Sequence, residues 1–311
     1  MLFQIIDNKQ ECSSIYCNNS IISSPDYNSL SMTWDYNTVL KEYNIEYASL
    51  YAQGKNIDEI CPDHLRDEWE TVKKKHFSFI KSFDTAKVKS KDYCFYDLVP
   101  ESFVVDFFNV KSKITEWVLN NYNKPSNYDH LVELSNLLSQ IKNNKLNVDL
   151  KSMDSFLHNF KARNIRKKLS RIHPYINYNI FGTITGRLTT KKDSFPILTL
   201  NKDYRSILKP KNDWFIELDF NAAELRCVLA LNKEKQPSID IHEWNGKIIN
   251  NLSDHKMDRD SVKQKIFSWM YGQENVSLGI PQIEKYYDKK KYQAVSFVNV
   301  QNKLPLTASY G

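Results

Sequence analysis

Glycine and cysteine are both scarce in this sequence, with seven glycines and five cysteines in 311 residues. The cysteines (Cys12, Cys17, Cys61, Cys94 and Cys227) are odd in number, form no C-x-x-C pair, and have no histidine beside them at zinc-ligand spacing. That pattern argues against a disulfide framework and against a zinc site, and it fits a reducing compartment. The N-terminus, MLFQIIDNKQ, lacks a basic stretch followed by a long apolar run, so it does not read as a secretory signal. No apolar run approaches the roughly 20 residues that a membrane-spanning helix needs. Internal repeats and low-complexity tracts are also missing. The expectation is a soluble, cytoplasmic globular protein without a membrane partner, long enough for more than one domain.

A strong charge imbalance is lacking too. Lys and Arg total 43 against 37 Asp and Glu, a formal charge of +6. This excess permits a nucleic-acid partner without demanding one, so clustering matters more than the sum. Basic runs occur in KARNIRKKLSR (161–171), KKK (73–75) and DKKKY (288–292). For Lys73–Lys75 a solvated helix face is the simpler reading.

What is present is a mosaic of helical and extended patterns. FQIID and SSIYC are β-favourable, and NNS is a turn signal before IIS, so residues 2–24 predict a hairpin. Helices are predicted over 37–53 and 57–83, the second capped by Asn56 or Asp58 and interrupted early by Pro62. Apolar residues recur at helical spacing over 104–122 and again over 127–144, with Leu131, Leu134, Leu138 and Ile141 on one face. Another helix, 151–170, carries the longest basic run. After the His-Pro dipeptide near residue 174 the texture changes. YNIFGTITGRLTT (178–190) is β-rich, DWFIELDF (213–220) reads as a strand ending on Asp219, and NAAELRCVLAL (221–231) reads as a helix. A helix over 257–272 has Asp258 as its cap and Gly272 as its stop.

Four constellations carry candidate chemistry. Asp219, at the exposed end of a strand, is well placed to hold a divalent metal, and the Phe220 carbonyl is a natural second oxygen for hard Mg²⁺. Taken alone, such a turn reads more readily as the cap of the helix beginning at Asn221. Arg259, Lys263, Phe267 and Tyr271 recur every fourth residue, drifting by about 40° per step, so they form one helical stripe. Two cations suit a phosphate, and two aromatic rings suit a stacked base. The competing reading makes the rings core and the cations a solvated edge. Asp240-Ile241-His242 and the segment from Thr183 to Thr190 are weak signals singly. In the latter, Arg187 can reach a nucleic-acid groove or a phosphate.

In order and spacing, these segments resemble the signature of family A (Pol I-like) DNA polymerases. That family carries T-x-T-G-R-L-[ST]-[ST], then an Asn/Pro-rich stretch, then D-Y-S-Q-I-E-L-R, then D-I-H, then R-x3-K-x3-F/Y-x3-Y-G. Here the same order runs TITGRLTT, FPILTLNKDYRSILKP, DFNAAELR from Asp219, Asp240-Ile-His242, and Arg259 to Gly272. FPILTL and DFNAAELR are similar to the compact bacteriophage branch, which places the protein in a host cytoplasm. The resemblance covers about 175–275 firmly and 93–172 loosely.

The resemblance implies an α+β fold with the helical thumb, partial antiparallel-sheet palm and helical fingers of a right-hand polymerase. Residues 1–90 have no assigned role, their hairpin being a candidate relic of an exonuclease fold. Residues 91–174 are thumb-like, 175–245 partial palm, and 246–311 fingers with the start of a return to the palm. The implied function is template-directed transfer of deoxynucleotides to a primer 3′-hydroxyl by two-metal catalysis. Asp219 and Phe220 would hold Mg²⁺, and Asp219 and Lys263 would be catalytic. Glu224 would be a steric gate against a ribose 2′-hydroxyl. His242, Arg259 and Lys263 would hold the triphosphate, with Phe267 near the sugar and Tyr271 near the template base. Arg187, Thr185 and Arg205 would meet primer-template DNA.

Two departures stand out. Phe220–Asn221–Ala222 replaces the family's Tyr-Ser-Gln. The later His-Asp-Glu turn, which supplies a second metal-binding carboxylate, does not occur before Gly311. The resemblance therefore implies a truncated or split enzyme whose missing palm carboxylate comes from a second polypeptide. The alternative is a catalytically inactive DNA- or nucleotide-binding fragment. No D-x-E pair marks a proofreading site.

Overall fold

The computed structural model describes residues 1–6, 14–88, 93–183, 186–192, 194–252, 256–272 and 277–287. The chain is an α+β protein in which helices predominate and the strands are short. It divides into two compact units, one of Met1–Gly182 with Arg187–Lys209 and one of Thr183–Gly186 with Pro210–Gly311. The change of texture near residue 174 falls inside the first unit. No helix among the described residues is long and apolar enough to cross a membrane.

The first unit begins with the expected hairpin, extended to three antiparallel strands: β1 (Phe3–Ile5), β2 (Ile15–Cys17) and β3 (Ser20–Ile22). Phe3 lies opposite Cys17 and Ile15 opposite Ile22. Asn18 and Asn19 turn the chain with φ of 47° and 62°, a left-handed pair that asparagine tolerates and a two-residue hairpin needs. The polar link between β1 and β2 spans 7–13, outside the described residues. β4 (Met32–Thr33) pairs in parallel with β5 (Glu46–Tyr47).

This pairing overturns the helix expected over 37–53. Asn37 caps only one 3-10 turn, Thr38–Leu40, and α1 (Ala48–Tyr51) is a single turn. Burial of Leu40, Ile45 and Tyr47 favours the long-range arrangement over local helix formation.

α2 (Ile57–Ile60) carries a full capping box between Asn56 and Glu59. Pro62 then ends it and stands at the start of α3 (Asp63–Thr85). Asp58 is not the cap: its carboxylate accepts from Trp69 Nε1 at 2.7 Å. α4 (Phe95–Leu98), α5 (Glu101–Asn121) and α6 (Tyr128–Asn143) follow. Leu65, Trp69 and Val72 of α3 share one core with Val110, Ile114 and Val118 of α5. Both sets recur at three- or four-residue spacing, and each such buried side chain contributes about 1.5–3 kcal/mol.

β6 (Asn147–Val148) precedes the segment expected as one helix over 151–170. That helix is broken. Asp149 caps a 3-10 helix over Leu150–Phe156, and Asn159 caps a new start, α7 (Phe160–Leu169). Side chains that bond to the backbone two residues on offer it an alternative to continuous helix. β7 (Tyr178–Asn179) pairs with β8 (Thr189–Thr190), and β9 (Leu208–Lys209) returns to pair with β6. Gly186, at φ of +74°, turns the loop between β7 and β8 in the left-handed region that favours glycine. Cys94 is disulfide-bonded, whereas Cys17, Cys61 and Cys227 are free thiols. An odd cysteine count excludes complete pairing but not a single bridge, and one bonded cysteine beside three free thiols is not a disulfide framework.

The second unit is helical: α8 (Ala223–Leu231), α9 (Ile241–Leu252), α10 (Arg259–Tyr271) and α11 (Pro281–Tyr286). Its core joins Leu225, Val228 and Leu229 to Ile241, Ile249, Val262 and Ile266. The strand expected over 213–220 does not form. Trp214–Phe220 belongs to no strand ladder, and Ile216 and Leu218 are 84% and 90% exposed. An apolar sequence becomes a strand only beside another strand, and no described strand pairs with this one.

Candidate functional site

α10 sets the frame. Asp258 caps it by accepting from Ser261 N at 2.9 Å, and the chain leaves at Gly272, where a Cβ would come within 2.7 Å of the Ser268 carbonyl oxygen. This close approach, rather than a positive φ, is what requires glycine there. Val262, Ile266, Trp269 and Met270 bury one side of the helix. Arg259 and Lys263 are exposed on the predicted stripe, Phe267 is half-buried, and Tyr271 is 56% exposed. The rings of Phe267 and Tyr271 stack at 5.7 Å with 5° between planes. Phe267 also meets the His242 ring at 5.8 Å. The stripe is therefore a surface feature at its ends, and only its Phe267 step leans on the core.

Asp240 joins α9 to α10. Its Oδ1 accepts from the backbone N–H groups of His242 (2.9 Å) and Glu243 (3.0 Å), capping α9. Its Oδ2 accepts from Arg259 Nη2 at 2.8 Å and from Asn221 Nδ2. The Arg259 guanidinium, seconded by these N–H donors, holds the Asp240 carboxyl well below the usual carboxylate range, although partial burial opposes this.

Asn221 and Arg226 complete the frame. Asn221 Oδ1 accepts from Ile241 N (2.9 Å) and Arg226 Nη2 (3.1 Å). Arg226 also donates to the carbonyls of Asn221 (2.8 Å), Pro237 (3.0 Å) and Ile239 (3.0 Å). Sequence reasoning singled out neither Asn221 nor Arg226 for this role, and it treated Asp240 only as part of a triplet. A signal was present in Asp240-Ile241-His242-Glu243, which has the spacing of a capping box.

His242 is 3% exposed, and its Nδ1 has no hydrogen-bond partner. Burial pushes its pKa down, with the Asp240 carboxylate pulling the other way. Tyr271 donates its hydroxyl to Glu224 Oε2, tying the far end of the stripe to the first turn of α8. α8 starts at Ala222 in a left-handed conformation (φ 48°, ψ 53°) without a side-chain cap, so Asp219 is not its capping residue.

Asp219 is exposed in the extended stretch before α8, and Phe220 is 73% exposed. Among the described residues no three His, Cys, Asp or Glu side chains group as a metal site. In the first unit Arg187 and Arg205 are both exposed, Arg205 donating from Nε to the Leu200 carbonyl at 3.3 Å. Thr185 lies outside the described residues. The second unit thus brings together Glu224, His242, Arg259, Phe267 and Tyr271, with Lys263 on the same helical stripe.

No protein-family model matches the chain, and no curated protein matches it significantly.

Proposed function

We propose that the second unit binds the incoming deoxynucleoside triphosphate of a DNA-directed DNA polymerase of the family A kind. One observation carries this reading: an exposed cationic end and an aromatic end lie on one face of α10, with the unpartnered Nδ1 of buried His242 beside them. Arg259 and Lys263 supply charge for phosphate oxygens, and Arg259 has five N–H donors to divide between Asp240 and a phosphate. The orphaned nitrogen of buried His242 would take a phosphate as its partner once the ring is uncovered. The stacked rings of Phe267 and Tyr271 present a flat apolar edge for sugar and base. Glu224, held by the Tyr271 hydroxyl, serves in this reading as the bulk that excludes a ribose 2′-hydroxyl.

In this reading residues 91–174 serve as thumb, 175–245 as partial palm and 246–311 as fingers of a right hand. Arg187, Thr185 and Arg205 contact primer-template DNA. The primer 3′-hydroxyl attacks the α-phosphate and pyrophosphate leaves, its charge met by Lys263 and Arg259.

Mg²⁺ is the cofactor the chemistry calls for. Asp219 and the Phe220 carbonyl fit it in kind, being hard oxygen donors, but not in number, since Mg²⁺ takes about six ligands and a two-metal site needs bridging carboxylates. No catalytic step is therefore assigned to a metal on this chain alone. Among the described residues no further carboxylate groups with Asp219, and in this reading a second polypeptide supplies one. The exposed alternation of Trp214, Ile216, Leu218 and Phe220 is a surface against which partner strands would pack. The same shortage favours, as a second reading, an inactive DNA- or nucleotide-binding fragment.

Primer extension with Mg²⁺ and all four deoxynucleotides decides between them, run with the chain alone and with a polypeptide carrying the missing palm strands. Synthesis only by the pair is expected. Synthesis by neither, with nucleotide or DNA binding intact, supports the inactive binder, and absence of both deoxynucleotide and primer-template binding refutes both.

A further inference from the structure

The first unit holds a cavity of about 270 Å³, partly open to solvent, between β1, the segment after β4, and the facing sides of α3 and α5. Three of the residues lining it carry buried polar atoms without a hydrogen-bond partner: Gln4 Oε1, Thr33 Oγ1 and the Tyr36 hydroxyl.

The Gln4 amide orientation follows from its neighbours. Thr115 Oγ1 donates to the Lys111 carbonyl at 2.8 Å, so it accepts from Gln4 Nε2 at 2.9 Å. That leaves Oε1, on a side chain with no solvent exposure, as an acceptor in need of a donor. Thr33 is 1% exposed. Burial raises the pKa of Tyr36, so its hydroxyl stays neutral and able to donate.

Each buried polar atom left unpaired costs about 1–3 kcal/mol, and native domains carry few of them. Three around one cavity therefore call for an occupant.

The charge on the wall narrows the class. The Lys111 side chain is 14% exposed, and its ammonium lies 3.7 Å from the Asp35 carboxylate, beyond ordinary hydrogen-bond length. Asp35 is half exposed and keeps its water. The poorly hydrated ion is thus the cation, and it gains most from a ligand of opposite charge. His76, also on the wall, adds no positive charge near neutral pH, because burial and Lys111 both push its pKa down.

We infer that this cavity binds a small organic anion, a carboxylate or a monophosphate, which meets Lys111 through its charge and Gln4, Thr33 and Tyr36 through hydroxyl or amine groups of its own. The site lies wholly within the first unit and does not depend on the nucleotide reading of the second.

Calorimetric titration of the full chain with D-glycerate and with glycerol 3-phosphate tests this and separates the two anion types, with glycerol as the neutral control. Saturable binding of one anion at millimolar concentration or below is expected, with none for glycerol. Lys111→Met should abolish it. Thr33→Val combined with Tyr36→Phe should weaken it about tenfold or more while leaving the melting temperature unchanged or higher, since both changes remove unpaired polar atoms and keep the shape. Failure of both anions to bind, or unchanged affinity in the variants, overturns the inference and leaves the cavity to ordered water.

Discussion

Asp240 caps α9 with one carboxylate oxygen and binds Arg259 of α10 with the other, at 2.8 Å. A single side chain thereby fixes the helix start and positions the first cation of the stripe. Asp240→Ala should lower the unfolding free energy by about 2 kcal/mol, the sum of a lost cap and a lost charged hydrogen bond. Because folding depresses the Asp240 pKa, its contribution is fully present above the unfolded value of about 3.9 and is lost as pH falls toward the folded one. Urea unfolding of both proteins should show the gap at pH 7 and its closure in acid. A gap that does not change with pH would rule out the carboxylate as its source.

Buried His242 gives a second, separate pH dependence. Its folded pKa lies below the ordinary histidine value, so the unfolded chain binds more protons as pH drops below about 6.5. Stability should fall through that window in the native protein, and His242→Leu should flatten the slope. The same substitution should weaken deoxynucleotide binding, measured by titration at pH 7.5. A variant with native nucleotide affinity would remove His242 from the proposed site.

Asp219 is exposed, so Asp219→Ala should leave the melting temperature within about 1 °C, an effect below about 0.5 kcal/mol. It should nonetheless abolish primer extension by the reconstituted enzyme. Retained extension would refute its assignment as a metal ligand.

Glu224 and Tyr271 are joined by a hydrogen bond, which separates gate from support. Glu224→Ala should raise ribonucleotide incorporation relative to deoxynucleotide. Tyr271→Phe keeps the ring stacked on Phe267 and should shift sugar preference in the same direction but less. Equal sugar selectivity in all three proteins would exclude the gate.

Ala222 sits at the start of α8 with φ of 48°, a region that costs a side-chain-bearing residue about 1–2 kcal/mol. Ala222→Gly should raise stability by roughly 1 kcal/mol, since glycine removes the clash while loosening the unfolded chain. Thermal melts check the sign, and a lower midpoint would show that the conformation is not strained.

Much of the local structure was legible in the residues. The Asn18–Asn19 turn, the cap by Asn56 (one of the two residues expected), Pro62 and the Asp258 cap each act within a few positions, and the structure places them as the sequence predicts. The four-residue stripe on α10 was likewise readable, because helical periodicity alone brings its members to one side. Two of the failures share a cause, whereas the break within 151–170 comes from the local caps Asp149 and Asn159. Residues 37–53 looked helical, but pairing between Met32–Thr33 and Glu46–Tyr47 decided otherwise. Residues 213–220 looked like a strand, and without a neighbouring strand they form no ladder.

By itself the sequence determined several helix caps and stops, Asn56, Asp258 and Gly272 among them, and which cations and rings share the face of α10. The order of its motifs also raised the polymerase reading. Only the tertiary structure decided that Asp240 grips Arg259, that Arg226 ties the start of α8 to the loop before α9, that His242 is buried with an unpartnered nitrogen, and that Gln4, Thr33 and Tyr36 line one cavity with Lys111. The physical reason is range. Caps, turns and helical faces depend on neighbours a few residues away, whereas burial, ion pairing and strand pairing depend on groups that only the folded chain brings together.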